Sequence, residues 1–233
     1  MPTGIVTGGS RGLGSSIAAA LADRGWDLVI DGRTAEDLRV SAMAMERSCP
    51  GRIFAITGDV TDLHHVSQLV EEANRIGDLR LLVNNASTLG PSPMPALDVY
   101  PADALRHVLE VNLIAPLRLI QDALPALRSS HGTIVNITSD AAVEGYEGWG
   151  GYGSSKAALE QLSNVLAAEE PDVRVYWFDP GDMQTRMHQD AFPGEDISDR
   201  PLPETRVPAL LDLLDSAPPS GRYTADLLLE PSL

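Results

Sequence analysis

Tyr152 and Lys156 stand four residues apart in Tyr152-Gly153-Ser154-Ser155-Lys156. On a helix, side chains at that spacing share a face, with Cβ atoms about 6 Å apart. A nearby ammonium favours phenolate over phenol. Lowering a tyrosine from about 10 toward 7 takes roughly 4 kcal/mol of differential stabilisation. A tyrosine tuned in that way donates or accepts a proton near neutral pH. The pair alone is a weak signal, because exposed helices carry it by chance. Its surroundings strengthen it: Ser139 lies thirteen residues upstream, after the apolar run Ile134-Val135-Asn136-Ile137-Thr138. The end of a strand in a parallel sheet is where ligands bind.

A second group of residues suits phosphate. Thr7-Gly8-Gly9-Ser10-Arg11-Gly12-Leu13-Gly14 lies between an apolar run and a helical segment. Glycines there permit a tight turn and let backbone N–H groups approach a pyrophosphate, which the helix N-terminus also favours. The spacing is Gly-x3-Gly-x-Gly, not the commoner Gly-x-Gly-x2-Gly. The next βα unit reads Val29-Ile30-Asp31-Gly32-Arg33-Thr34. With Leu28–Asp31 as the strand, Gly32 falls at the tip, where a carboxylate would bind a ribose 2′-hydroxyl. Arg33 then offers a guanidinium to a 2′-phosphate, with Arg11 as a second cation. This register favours NADP(H). A shift of one residue puts Asp31 at the tip and makes NAD(H) the cofactor.

Such residues need a scaffold that gathers strand ends. Candidate strands are Gly4–Thr7, Leu28–Asp31, Ile53–Gly58, Leu79–Asn84, Thr133–Thr138, Val173–Phe178 and, more weakly, Tyr223–Leu228. Candidate helices are Gly12–Arg24, Ala35–Arg47, Leu63–Ile76, Ala102–Ser129 with a break near Pro116, and Tyr152–Glu169. Strands alternating with helices imply parallel pairing through right-handed crossovers. The expected fold is α/β: a Rossmann-like, doubly wound, mostly parallel seven-stranded sheet with helices on both faces, in a single domain over residues 1–233. Leu81-Leu82-Val83 and Ile134-Val135 are apolar without alternation, as a sheet covered on both faces requires. Pro180 to Pro219 is rich in Pro, Asp and Glu and reads as a mobile surface segment near a site.

Composition narrows the partners. A formal net charge of −16 speaks against nucleic acid and anionic membrane, both of which need clustered Lys and Arg. No run of about 18 apolar residues is present, so no membrane span is expected. Cys49 is the only cysteine, which excludes an internal disulfide and suits a reducing compartment. The first strand begins by Gly4 and leaves no room for a signal peptide, so a cytoplasmic location is expected. His64, His65, His107, His131 and His188 lack ligand-like spacing, and no metal is expected. The His64-His65 pair reads as exposed helix.

Taken together, these motifs resemble the short-chain dehydrogenase/reductase family, in its short single-domain branch. Its glycine motif corresponds to Thr7, Gly8, Gly12 and Gly14. Its acidic residue after the third strand corresponds to Asp59, followed by Val60, and its Asn-Asn-Ala-Gly to Asn84, Asn85 and Ala86. Its helix asparagine corresponds to Asn112, its serine to Ser139, its Tyr-x3-Lys to Tyr152 and Lys156. Its Pro-Gly-x3-Thr corresponds to Pro180, Gly181 and Thr185. The resemblance runs from about residue 3 to 186. Three departures stand out: Ser87 replaces the last glycine of Asn-Asn-Ala-Gly, the chain is short after Thr185, and Gly148 to Gly151 make the approach to Tyr152 glycine-rich.

The resemblance implies an NAD(P)(H)-dependent oxidoreductase passing hydride between nicotinamide and a carbonyl or alcohol. It implies Tyr152 as general acid or base and Lys156 on the ribose hydroxyls, lowering the Tyr152 pKa. Ser139 then lies on the substrate oxygen, and Asn112 supports a water chain to Lys156. Cofactor contacts are implied at Thr7, Gly8, Ser10, Arg11, Gly12, Leu13, Gly14, Arg33, Thr34, Asp59, Val60, Asn85, Ala86, Tyr152, Lys156, Pro180, Gly181, Met183 and Thr185. Leu89, Tyr146, Trp149, Met183 and Met187 are the candidate substrate wall. The expected partners are a small carbonyl or alcohol and further copies of the chain, in a tetramer or dimer. The copies would pair through the rows Leu105/Leu109/Leu113 and Leu159/Leu162/Leu166. Residues 183–203 are expected to form a mobile lid. A catalytically silent NAD(P)-binding regulatory or scaffold protein is the alternative, against which the complete Asn112, Ser139, Tyr152 and Lys156 set speaks. A sugar-nucleotide epimerase or dehydratase of the longer branch is disfavoured by length and glycine spacing.

Overall fold

The inner strands of the protein are short apolar runs whose alternate side chains feed two different cores. In β2 (Asp27–Gly32), Leu28 and Ile30 join one cluster and Val29 the other; β4 (Asp78–Asn84) divides Leu81 and Val83 from Leu82 in the same way. A sheet apolar on both faces needs cover on both. The computed structural model describes residues 1–229 and shows that arrangement. Seven strands, β1 (Pro2–Val6), β2, β3 (Ile53–Thr57), β4, β5 (Thr133–Ile137), β6 (Arg174–Asp179) and β7 (Gly221–Thr224), lie in the order 3-2-1-4-5-6-7. Every neighbouring pair is parallel. One core packs α1 (Gly12–Asp23) and α2 (Ala35–Ser48) against the sheet; the other packs α3 (Leu63–Ile76) and α5 (Ala115–Ser130). Strand order reverses between β1 and β4, so the loops leaving their carboxyl ends diverge and open a crevice, as doubly wound sheets do.

The structure corrects four expectations. Helix α4 (Ala102–Leu109) does not break at Pro116. It continues through a π-helical turn, Glu110–Ile114, into α5, and Pro116 sits in the first turn of α5, where its missing N–H costs nothing. The last strand is shorter than expected: β7 ends at Thr224, and Ala225–Leu229 is helix α9, with Ala225 buried. The segment after Pro180 is not uniformly loose. It holds α7 (Arg186–Ala191) and then α8 (Val207–Ser216), whose Val207, Ala209, Leu210 and Leu213 lie in the first core. Finally, His65 is not a surface residue. It lies in the first turn of α3 with 4% exposure, facing Asp31.

Candidate active site

The carboxyl ends of the strands open on a cleft of about 860 Å³, within the usual size range of ligand sites. Its first half is the glycine turn. Gly8 and Gly12 have φ of +67° and +57°, a region side chains avoid. A Cβ on Gly14 would lie 2.3 Å from the Gly8 carbonyl oxygen, so that glycine permits close packing of α1 on the loop. Gly14 and Thr7 stand behind the cleft rather than on it. Thr7 Oγ1 accepts the N–H groups of Asn85 and Ala86 at 3.0 Å each and ties the β1 loop to the β4 loop. The other expected cofactor contacts all line the cleft: Gly8, Ser10, Arg11, Gly12, Leu13, Arg33, Thr34, Asp59, Val60, Asn85, Ala86, Tyr152, Lys156, Pro180, Gly181, Met183 and Thr185.

This half fits a dinucleotide. No side chain caps the start of α1, and a Cβ on Gly12 would meet only Thr185 Cγ2, at 3.7 Å, so the helix N-terminus faces the cleft unobstructed. A Cβ on Gly32 would lie 2.9 Å from Ser10 Cβ, so the strand tip has no room for a carboxylate side chain. Arg33 and Thr34 are exposed at the rim. Asp31 is turned inward instead, its Oδ1 accepting the Gly8 N–H at 2.6 Å.

The second half gathers side chains of the types suited to proton transfer. Tyr152 and Lys156 lie one helical turn apart in α6 (Gly150–Glu169), both buried. The glycines before them make the helix start possible. A Cβ on Gly150 would lie 2.3 Å from Leu97 Cδ2, and one on Gly151 2.1 Å from Tyr100 Oη. Trp149 packs edge-on against the Tyr152 ring at 5.8 Å, and Leu89 and Ala141 complete its cluster. Lys156 Nζ donates to the Ile137 carbonyl at 2.8 Å and lies 5.5 Å from the Tyr152 ring centroid. Burial pulls the Lys156 pKa from 10.5 down to about 8.

Tyr152 does not follow the expected direction. Burial, and then the carboxylates of Asp179 and Asp140, push its pKa well above the ordinary tyrosine value, while hydrogen bonding toward Ser139 and Ser87 opposes them. The lysine head group is turned to the backbone and does not offset this, so the phenol is held firmly protonated. Ser139 Oγ donates to Asp140 Oδ1 at 2.8 Å and accepts the Ala141 N–H at 3.2 Å.

Asn112 is fully buried, in the π-helical turn. Its Nδ2 donates to the Thr88 carbonyl and to Ser155 Oγ, both at 2.9 Å. Its Oδ1 accepts the Thr88 N–H at 2.9 Å and Ser87 Oγ at 3.1 Å. The amide is therefore saturated by partners within the protein. Ser87, the departure from glycine, joins this network and faces Tyr152.

Two features escaped the sequence reading. Arg222, on β7, donates to Asp179 Oδ2 at 2.9 Å, to Glu160 Oε1 at 3.0 Å and to the Ser139 carbonyl at 3.4 Å. Glu160 lies one turn past Lys156 and also accepts Thr138 Oγ1 at 2.7 Å. The guanidinium thus clamps the ends of β5 and β6 beside the phenol. Its only sequence signal is a lone arginine in a weak strand. The second feature is the His65–Asp31 contact, invisible because pairing a helix residue with a strand residue needs the fold. Of the expected substrate wall, Leu89, Trp149, Met183 and Met187 line the cleft, whereas Tyr146 is exposed outside it, bonded to Asp140 and Glu144. Among the described residues no cluster of His, Cys, Asp and Glu is arranged to hold a metal, and no helix is long and apolar enough to cross a membrane.

The model of the family described as short chain dehydrogenase matches residues 3–196. The chain is 35% identical to L-fucose dehydrogenase of Mus musculus over 189 residues, 80% of this chain and 67% of that protein. It is 36% identical to sepiapterin reductase of Meriones unguiculatus over 197 residues, 79% of this chain and 75% of that one. Among solved structures, a short chain dehydrogenase of Shigella flexneri complexed with NADP is similar at a TM-score of 0.90 with 28% identity, covering 97% of each chain. An alcohol dehydrogenase of the archaeon Thermococcus sibiricus complexed with 5-hydroxy-NADP is similar at 0.87 with 26% identity, covering 100% of each. The fold and cleft define a nicotinamide-dependent oxidoreductase. The chain belongs to the short-chain dehydrogenase family.

Proposed function

We propose that the protein interconverts a carbonyl compound and an alcohol, with Tyr152 as general acid in reduction and general base in oxidation. The observation that carries this reading is the Tyr152 hydroxyl, buried beside Ser139 and Ser87 in the cleft that the glycine turn also lines. A nicotinamide nucleotide bound in that cleft supplies or takes up hydride. The rest is the chain's own work. A phenol kept protonated by burial and two carboxylates suits donation to a carbonyl oxygen. Ser139 holds that oxygen, and Lys156, anchored on the Ile137 carbonyl, would offer its remaining ammonium protons to the ribose hydroxyls. The phenolate left after transfer regains its proton from solvent, along a water chain to Lys156 that Asn112 supports. Leu89, Trp149 and Met187 favour an apolar or ring-bearing substrate.

NADP(H) is the preferred cofactor in this reading. Its support is the exposed Arg33, the inward-turned Asp31 and the NADP ligands of the two similar structures. Residues 183–203 act as a lid: Phe192 rests on Trp149 with ring centroids 5.9 Å apart, so opening this segment uncovers the substrate wall. The protein works in the cytoplasm as a homo-oligomer, pairing α4–α5 and α6 across two-fold axes, where Leu105, Leu109, Leu113, Leu162 and Leu166 stay half-exposed. The test is a screen of ketones, aldehydes and alcohols with both cofactors, read at the nicotinamide absorbance. Turnover that is lost in Tyr152→Phe supports the reading. Absence of turnover with every pair, or turnover that Tyr152→Phe retains, refutes it.

A further inference from the structure

We propose that His65 is a specificity-determining positioning residue for the cofactor, holding the Asp31 carboxylate on the glycine loop and away from the ribose edge of the cleft. The inference rests on the cofactor reading above. Asp31 is 2% exposed and His65 4%, and His65 Nε2 lies 3.0 Å from Asp31 Oδ2. The other carboxylate oxygen takes the Gly8 N–H at 2.6 Å, and the Asp31 carbonyl takes the Gly9 N–H at 2.9 Å. A carboxylate facing a ring nitrogen requires a proton between them, so Nε2 is the donor.

The sequence around the pair makes room for it. A Cβ on Gly58 would lie 2.2 Å from His65 Nδ1, so the ring rests on that glycine. Gly58 in turn donates its N–H to the Gly32 carbonyl at 3.2 Å. One histidine therefore joins the three segments that shape the adenosine end of the cleft: the glycine loop, the end of β2 and the turn after β3.

The consequence concerns charge. Asp31 lies one residue before the strand tip and lines the cleft. Without its histidine, a buried carboxylate has one unmet oxygen and turns toward whatever donor is near. A nucleotide bound at this edge would offer its ribose hydroxyls as such donors, and a carboxylate there would favour the hydroxyl over the phosphate. His65 thereby leaves the exposed Arg33 guanidinium at that edge without the Asp31 carboxylate turned toward it.

The experiment measures dissociation constants for NADPH and NADH by fluorescence, with kcat at saturating cofactor. In His65→Leu the NADPH-to-NADH affinity ratio should fall about tenfold to a hundredfold, while kcat changes less than about threefold. His65→Gln, which keeps an N–H at similar reach, should restore most of the ratio, and His65→Leu combined with Asp31→Asn should restore it as well. A merely structural role would lower the melting temperature and leave the ratio alone. An unchanged ratio in His65→Leu overturns the proposal. Should that variant not fold, proton exchange at the Gly8 amide of the cofactor-free wild type decides: protection supports the anchor, and exchange as fast as in an open loop overturns it. Wild-type protein that binds neither cofactor overturns the functional reading, and this inference with it. Wild-type binding with an unchanged variant ratio overturns this inference alone.

Discussion

Replacing Lys156 by methionine should make the cofactor-free protein more stable and nearly inactive. The lysine is 2% exposed, and burial brings its pKa from 10.5 to about 8. At about 1.36 kcal/mol per tenfold, that fall corresponds to a penalty of about 3 kcal/mol for holding the charged form. Methionine is similar in length, apolar and free of the penalty. It also abandons the hydrogen bond to the Ile137 carbonyl, which offsets about 1–2 kcal/mol. The net gain is about 1–2 kcal/mol, or about 2–8 °C in a domain of this size. The dependence on pH has a definite sign. The folded protein releases this proton at lower pH than the unfolded chain, so between about pH 8 and 10.5 the unfolded state binds more protons. Wild-type stability from this group rises with pH across that window, and below it the penalty is complete. Thermal unfolding of both proteins from pH 7 to 10.5 is the assay: the variant's advantage should be largest at pH 7 and shrink through the window. A variant less stable than wild type at pH 7, or an advantage that grows with pH, refutes the reasoning.

Tyr152→Phe leaves the ring against Leu89, Ala141 and Trp149, so folding and cofactor binding should persist while turnover falls about 10²–10⁴-fold; steady-state kinetics beside a cofactor titration separates the two. Arg33→Ala should weaken NADPH by about 1.5–3 kcal/mol and NADH hardly at all, read by fluorescence titration. Arg222→Met removes the cation shared by Asp179 and Glu160, so kcat should fall at least about tenfold and Arg222→Lys should recover part of it; a variant that loses only thermal stability would reduce the clamp to scaffolding. Light scattering at micromolar concentration should give a mass above that of one chain.

The strands, most helices and the residues gathered at the candidate site were legible in the sequence because they depend on local rules. Apolar runs of strand length between helical segments imply a parallel sheet, and Gly8, Gly12, Tyr152 and Lys156 act through spacing that a turn or a helix fixes by itself. Even the π-helical turn left a mark, as an irregularity expected a few residues late, at Pro116. What depended on distant segments was not legible. Whether Asp31 faces the ribose or the glycine loop is decided by His65, 34 positions away. Arg222 acquires its place only when β7 docks beside β6 and meets Asp179, 43 positions away, and Glu160, 62 positions away. The Tyr152 pKa was expected to fall because spacing brings Lys156 near. It rises because burial and the Asp140 and Asp179 carboxylates outweigh an ammonium engaged with the Ile137 carbonyl. Residue types and short spacings can specify which groups are available for proton transfer. Their charge states and orientations follow from desolvation and from partners that only the packed sheet brings together.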